Sequence, residues 1–503
     1  MTKPVGKMLH WRLVFSALFH AGFGSSAYYQ LSPLNNIQGD IESFSNLSFH
    51  RHYHRPLSQS GVAWIWACIA AAVDVGAVFG AFILKYLLEK WGRRNTVMLL
   101  KNVIQVLGSV FQFLAKPAWS FELLLIGRFV SGIAIGLAMC IPVYLTECAP
   151  IKYRGFVATI AYLGTPFWTT VGSVVGMPQI LGTDSTWHYA LILPAIPAFL
   201  HAALTPCIHE SPKYLYITKR KEEKAVNSVA FYHGPHVKTE KVLAEFRREA
   251  EVAKSTATRP AGLREIFTNR QFLWPFVLCL VANVAQNFGG TDFTFQYSSG
   301  FMQLLGISKH MSAVFTVTVT QIPGLFICIF GLFLVERSGR RFFMLFGILL
   351  GIFAMSFVFV AGLLPKDSLA GSILGIIGLF LSIAGYYIGP SFIAGILPGE
   401  LCPQGSRSLT SGVSFAASWF PVVIIIVLYP PLQLAIGSYS VLPLVLLGIL
   451  SFVFLYFYLP ETTNLPVDEI VERWMKNNDS MPEEERDLLG ETEQKDTYGS
   501  VTN

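Results

Sequence analysis

Twelve apolar stretches in two sets of six, separated by one long polar gap, constrain what this chain can fold into more than any other feature. They fall near 11–35, 62–86, 95–115, 120–147, 156–177 and 187–208, and then near 272–302, 311–335, 342–364, 370–398, 409–433 and 437–459. A helix needs about 20 apolar residues to cross a hydrocarbon core roughly 30 Å thick, and these stretches have that length. Runs such as 342–364 do not alternate as the shorter strands of a spanning barrel would. The chain is 53% hydrophobic and 14% charged, whereas soluble domains carry about 25% charge. A soluble domain and a disordered chain are both excluded. The expectation is an all-α membrane protein with twelve transmembrane helices, embedded in a lipid bilayer.

Two six-helix units are expected at 1–208 and 272–459, with a charged linker containing short helices at 209–271 and an acidic tail at 460–503. Lys3 and Lys7 precede an apolar stretch too long for a signal peptide, so 11–35 reads as an uncleaved first span. Short connections on one face carry Arg93, Arg94, Lys152, Arg154, Arg337, Arg340, Arg341 and Arg407, and those on the other face carry few cations. By the positive-inside rule both termini are cytoplasmic, and the span-end cations account for the net charge of +6 without a nucleic acid partner. Asn46-Leu47-Ser48 then lies outside as a glycosylation sequon, while Asn478-Asp479-Ser480 lies inside. The seven cysteines sit in or beside apolar segments without a CxxC, so neither a disulfide framework nor a zinc site is indicated. His50, His52 and His54 alternate in what reads as a solvated outer loop, with no nearby carboxylate or cysteine to complete a metal site.

The two sets repeat each other in their polar residues. Glu89-Lys90-Trp91-Gly92-Arg93-Arg94 after the second span matches Glu336-Arg337-Ser338-Gly339-Arg340-Arg341 after the eighth. Glu147 with Arg154 matches Glu400 with Arg407, and Glu210 matches Glu461, all at offsets near 250 residues. The chain therefore reads as a duplicated six-helix unit. Arginine's planar fork binds carboxylates in bidentate fashion, so these clusters are expected to form ion pairs at the inner membrane face.

Gly127-Arg128, Pro142 and Tyr144 ahead of Glu147, Arg154-Gly155, Glu210-Ser211-Pro212, Gln286 with Gly290, Glu400 with Arg407, and Pro460-Glu461-Thr462 follow one another in an order and spacing that is highly specific. In these the chain resembles the sugar porter family of the major facilitator superfamily, in the style of animal facilitative glucose transporters, over nearly its whole length. The resemblance implies two pseudo-symmetric six-helix bundles around a central cavity, and alternating access to a solute held near the midplane. It implies an inner gate of Glu147, Arg93, Arg94, Arg154, Glu400, Arg340, Arg341 and Arg407, closed in outward-facing states. It implies solute contacts at Gln286, Asn287, Asp292, Tyr297, Ser173, Ser418 and Trp419. Several contact positions depart from the family: Ser173 stands for a glutamine, Gly324 for an asparagine, Gly395 for a tryptophan and Asp292 for an asparagine. Trp168, Phe293, Tyr386 and Tyr387 are further candidates to stack on a ring-shaped solute, or to serve as ordinary packing.

Asp74 and Asp292 lie inside spans, where an aspartate costs about 2.5–3.5 kcal/mol at the bilayer centre, so each should face a cavity or a partner. Arg128 is the cation at comparable depth; one carboxylate is expected to pair with it, leaving the other for solute or a proton. The first reading of function is facilitative uniport of a hexose or related polyol-like solute. Proton symport through Asp74 or Asp292 is the alternative, although the first-span aspartate of proton-coupled relatives is Ser26 here. A non-transporting nutrient sensor is the reading from another class. No Walker loop, HExxH or GxSxG stands in a fitting context, so an enzyme is not expected, and no cofactor is implied. The plasma membrane is the expected location. Glu484 ahead of Leu488-Leu489 resembles an acidic dileucine signal for a sorting adaptor, or belongs to a merely solvated tail.

Overall fold

A computed structural model of the chain describes residues 10–234, 237, 239–255 and 263–462, all helix and connecting turn, with no strand among the described residues. Asn478, Leu488 and Leu489 lie outside them.

Span 1 is built from helix Trp11–Gly22 and a 3₁₀ segment, Gly24–Leu31. Span 2 is Gln59–Trp91; span 3 is a π turn Asn95–Leu100 with helix Lys101–Ala115. Span 4 is Phe121–Ala138 with Cys140–Cys148, span 5 is Arg154–Tyr162 with Gly164–Val175, and span 6 is Trp187–Ile192 with Ala195–Ala203. The linker carries Glu222–His233, Thr239–Ser255 and Leu263–Thr268. Span 7 is Arg270–Ala285 and Thr291–Leu304, and span 8 runs from Lys309–Phe315 through a π turn to Ile322–Ser338. Spans 9 to 12 are Arg340–Leu363, Leu369–Tyr387 with Pro390–Leu401, Gln404–Ile436, and Leu442–Tyr458.

The twelve spans stand where the apolar stretches place them, with one correction. The connection after span 1 is not a loop. Pro33, whose missing amide suits a first helical position, opens a further helix, Pro33–Tyr53. Leu34, Ile37, Ile41 and Phe44 recur at helical spacing on its buried face and join Trp187 in one apolar cluster. The helix is too polar overall to register as a hydropathy run. Asn46 is exposed on it, and Ser48 is buried, donating to Trp119 O at 2.7 Å. The three histidines close this helix, and span 4 supplies the carboxylate that is not near in sequence: His52 Nδ1 lies 3.7 Å from Glu122 Oε2.

Spans 2 and 4 touch backbone to backbone. A Cβ at Gly76 would stand 2.1 Å from Phe129 O, and one at Gly132 would stand 2.0 Å from Val73 O. Small residues at this spacing let membrane helices approach where no hydrophobic drive exists between them and lipid. One apolar cluster fills the first bundle, from Leu13 to Tyr144, and another fills the second, from Leu278 to Leu401. The third spans both bundles on the face opposite the linker, where Leu34 and Ile37 meet Phe293 and Tyr297.

Candidate functional site

Span 7 breaks at its middle, and the break makes the site. Helix Arg270–Ala285 stops, and Gly290 takes a left-handed φ of +74° before Thr291–Leu304 resumes. A side chain at Gly290 would also strike Met355, whose Sδ would lie 2.2 Å from its Cβ. The interruption turns Gln286 and Asn287, at the end of one half-helix, and Asp292, in the first turn of the other, into a central cavity of about 100 Å³. Irregular backbone at membrane depth is tolerated where it lines such a cavity.

Tyr28 from the 3₁₀ part of span 1, Tyr162 and Thr165 at the break in span 5, and Ser418 and Trp419 from span 11 complete the wall. Asn287 Nδ2 donates to Ser418 O at 2.6 Å and is fixed by it. Gln286 Oε1, Asp292 Oδ2 and Trp419 Nε1 are buried and have no hydrogen-bond partner among the described residues. Side chains lining the cavity therefore carry two acceptors and one donor that the fold does not satisfy.

Five of the seven expected contacts, Gln286, Asn287, Asp292, Ser418 and Trp419, line this space together. Tyr297 and Ser173 do not. The Tyr297 hydroxyl donates to Ile426 O at 2.7 Å, and its ring faces a separate cavity of about 390 Å³ toward the opposite face. Ser173 is fully buried where span 5 packs on the start of helix Pro33–Tyr53, and its carbonyl accepts from Asn36 Nδ2 at 2.9 Å. Tyr386 and Tyr387 line the cavity, whereas Trp168 caps Gly22 O and Phe293 is fully buried in the apolar cluster. Gly395 lines it, and Gly324 packs against Ile383 and Tyr387. Asn283, tied to Ala394 O at 3.0 Å, is a lining residue that no motif marked.

Toward the linker face the cavity widens into a space of about 750 Å³ that shares Met139, Tyr162, Asn283 and Phe415 with it and reaches Arg93, Arg154 and Arg340. On the opposite face the halves are joined. Asn35 Nδ2 donates to Ser298 Oγ at 2.7 Å, Asn35 Oδ1 accepts from Ser299 N at 2.9 Å, and Lys309 Nζ pairs with Asp40 Oδ2 at 2.7 Å. The protein is thus open on the linker face and sealed on the other.

The charge clusters at the mouth are twins, each within its own half. Arg93 Nε meets Glu147 Oε2 at 3.0 Å, and Arg340 Nη2 meets Glu400 Oε1 at 2.8 Å. Glu147 also accepts from Ser211 Oγ and Glu400 from Thr462 Oγ1, both at 2.6 Å. Glu210 accepts from Arg94 N at 2.8 Å, and Glu461 accepts from Arg340 N at 2.9 Å and Arg341 N at 3.2 Å. Burial pushes the Glu210 carboxyl up from its ordinary value, opposed by the amides of Arg94 and Ser211. Gly92 and Gly339 have φ of +90° and +99°, and a Cβ on either would strike the carboxylate beside it.

Three expected gate residues are bonded elsewhere. The Arg94 guanidinium donates to Ile208 O and Asn95 Oδ1, and Arg341 Nη2 donates to Tyr456 O at 2.6 Å. Arg407 Nε bonds to Cys402 O at 3.3 Å.

The expected pairing of Arg128 is also corrected. Its guanidinium is bonded to three backbone carbonyls, Gln30 O at 2.5 Å and Ile69 O and Ala70 O at 3.3 Å, and forms no ion pair among the described residues. The first of these is a carbonyl freed by the 3₁₀ turn of span 1. Lys101 Nζ caps Gly24 O and Trp168 Nε1 caps Gly22 O in the same stretch. Asp74 is buried with Oδ2 unpartnered, within electrostatic reach of both Asp292 and Arg128.

Behind span 1 lies a polar cluster that the motifs missed. His20 Nδ1 and His201 Nε2 are 2.8 Å apart, and Asn102 Nδ2 is 2.7 Å from His201 Nδ1. A lysine and two histidines inside apolar stretches were the available signal.

Residues 16–474 match the family described as sugar (and other) transporter. The chain is 28% identical over 462 residues to solute carrier family 2, facilitated glucose transporter member 1, of Gallus gallus, covering 91% of this chain and 92% of that one. It is 29% identical over 463 residues to member 3 of Rattus norvegicus, with the same coverage. In structure it is similar to the partially occluded inward-open conformation of the xylose transporter XylE from E. coli, with TM-score 0.73 and 17% identity over 90% of this chain and 99% of that one. It is similar also to the proton:xylose symporter XylE bound to 6-bromo-6-deoxy-D-glucose, with TM-score 0.73 and 18% identity over 92% and 98%. The fold is the twelve-helix major facilitator fold.

Proposed function

The chain belongs to the family of sugar (and other) transporters, and from that premise we propose that it is a uniporter for a hexose or a related polyol-like solute, working by alternating access with the linker face cytoplasmic. One observation carries the solute class: Gln286, Asp292 and Trp419 line the central cavity together, and Gln286 Oε1, Asp292 Oδ2 and Trp419 Nε1 are left unsatisfied. Acceptors and a donor beside an aromatic face suit a ring bearing several hydroxyls, since a buried polar atom left unpaired costs about 1–3 kcal/mol. Solute bound there touches spans 7 and 11 of one half and spans 1 and 5 of the other, and is released to the linker face through the wide mouth. Return requires the mouth to close and the Asn35 contacts to part, and Arg154 stands at that mouth with the two ion pairs. Ser173 and Tyr297 act on this reading by packing the spans that rock rather than by touching solute.

Counterflow of labelled hexoses and polyols in proteoliposomes tests the proposal. Saturable, gradient-independent counterflow is expected, and Gln286→Ala should lower apparent affinity by roughly 5- to 150-fold, the equivalent of one buried hydrogen bond. Absence of counterflow for every hexose and polyol would leave the nutrient-sensor reading in its place.

Proton coupling is the second reading, favoured by two unpaired carboxylates, Asp74 and Asp292, within reach of one another. Accumulation that disappears when the pH gradient is collapsed, and with Asp292→Asn, would select it. Plasma-membrane residence, cytoplasmic termini, glycosylation of exposed Asn46 and adaptor binding at Leu488 and Leu489 accompany the proposal.

A further inference from the structure

The linker face holds another cavity, of about 530 Å³, between the turn joining spans 2 and 3 and the start of the linker. None of its lining residues lines the central cavity or the mouth. Five cations surround it: Lys90 from the last turn of span 2, Arg94 from the turn that follows, and Lys219, Lys221 and Lys224 from the linker. Among the described residues none of the five is in an ion pair. The groups that three of their side chains touch are neutral. Lys90 Nζ is 3.0 Å from the Tyr86 hydroxyl, Arg94 Nη1 is 3.1 Å from Ile208 O, and Lys219 Nζ lies 5.6 Å from the centroid of the Tyr214 ring.

Glu210 is the one acid among the described lining residues, and its Oε1 is taken by the amides of Arg94 and Ser211 at 2.8 and 2.9 Å. Five cations gathered around one concave space against a single carboxylate raise its potential and attract an anion. Lysine and arginine are the phosphate-binding side chains, as point charges and as a planar fork respectively. A cavity of this volume exceeds the needs of a single phosphate and falls in the range of small-molecule sites. Trp91, exposed at the end of span 2, borders it, and tryptophan marks the headgroup level of a bilayer.

We propose that this groove binds an anion carrying two or more phosphate groups, supplied by a phosphorylated lipid headgroup of the adjoining leaflet or by a soluble polyphosphate. The bound anion ties the linker lysines to the turn between spans 2 and 3. The proposal uses no residue of the transport site, so it stands or falls apart from the uniport reading.

Full-length protein is tested in three arms: inositol 1,4,5-trisphosphate titrated into detergent-purified protein, inorganic pyrophosphate titrated likewise, and retention of phosphatidylinositol 4,5-bisphosphate from mixed phosphatidylcholine nanodiscs counted by native mass spectrometry. Binding in a soluble arm and in the lipid arm shows that the site reads phosphate itself; binding in one arm alone names the source. Each lysine near a charged surface contributes about fivefold, so the triple variant K219Q/K221Q/K224Q should weaken binding about 100-fold. Lys241→Gln, exposed on the linker away from the groove, should leave it unchanged. Added salt should weaken binding in every arm. If the triple variant fails to fold, Lys221→Gln alone should show the roughly fivefold loss. No binding in any arm, equal binding by the variant and the parent, or equal retention of phosphatidylserine would overturn the proposal.

Discussion

On the face opposite the linker, the contacts run between the halves: Asn35 reaches Ser298 and Ser299, Asp40 reaches Lys309, and Leu34 and Ile37 pack among Phe293 and Tyr297. On the linker face the two ion pairs stay inside their own halves, Arg93 with Glu147 and Arg340 with Glu400. The first set holds the bundles together in this state. The second holds each bundle to itself, anchoring span 4 to the linker start through Ser211 and span 10 to the end of span 12 through Thr462. Charge density is therefore a poor guide to which face is shut. The face richest in arginine is open, and much of the seal is uncharged amide, hydroxyl and apolar surface.

The largest effect that separates the two faces is expected at Asn35. It is buried, and Asn35→Ala removes three cross-half bonds, to Thr294 O, Ser298 Oγ and the Ser299 amide, a cost of roughly 2–4 kcal/mol to the sealed state. Spin labels at Asn46 and Lys366, exposed on that face in opposite halves, should report a longer separation in this variant. An unchanged distance would mean that the apolar cluster alone keeps the face shut.

A smaller effect of a different kind is expected at the twin glutamates. Glu147→Gln and Glu400→Gln keep shape and remove charge from half-buried pairs, so each should cost about 1 kcal/mol of thermal stability after allowance for solvent screening. The label separation should stay the same. If either variant changes it as much as Asn35→Ala does, the comparison between the faces fails, because an inner pair would then be holding the halves in register.

What was legible in the sequence follows the same division. Spans show as long apolar runs, and the duplicated Gly-Arg-Arg and glutamate positions show because both halves need the same turn. In each, a left-handed glycine and a carboxylate accepting from the amides beyond it occupy the same place, at Gly92 with Glu210 and at Gly339 with Glu461. The five cavity residues on spans 7 and 11 were legible because a broken helix needs its glycine and its amide side chains at fixed offsets. Ser173 and Tyr297 were misplaced because facing depends on how a span rotates against its neighbours. Helix Pro33–Tyr53 was missed because its buried face is narrow and its other faces are polar. The His20 and His201 pair was missed because the two come together only through the packing of spans 1, 3 and 6.

The smallest effect belongs to the cross-half ion pair, and it sharpens the comparison most because it sets charge against amide on one face. Lys309 is 39% exposed and Asp40 15%, so water and salt screen the pair although its length is 2.7 Å. Exposed pairs contribute about 0.2–1 kcal/mol, and Lys309→Gln should therefore lengthen the label separation only slightly. That small change should vanish in high salt, since a Debye length of about 3 Å at 1 M leaves little attraction to lose. The response to Asn35→Ala should persist there, because its bonds are buried and uncharged. A Lys309→Gln shift that equals the Asn35→Ala shift at low salt would assign the seal to charge after all.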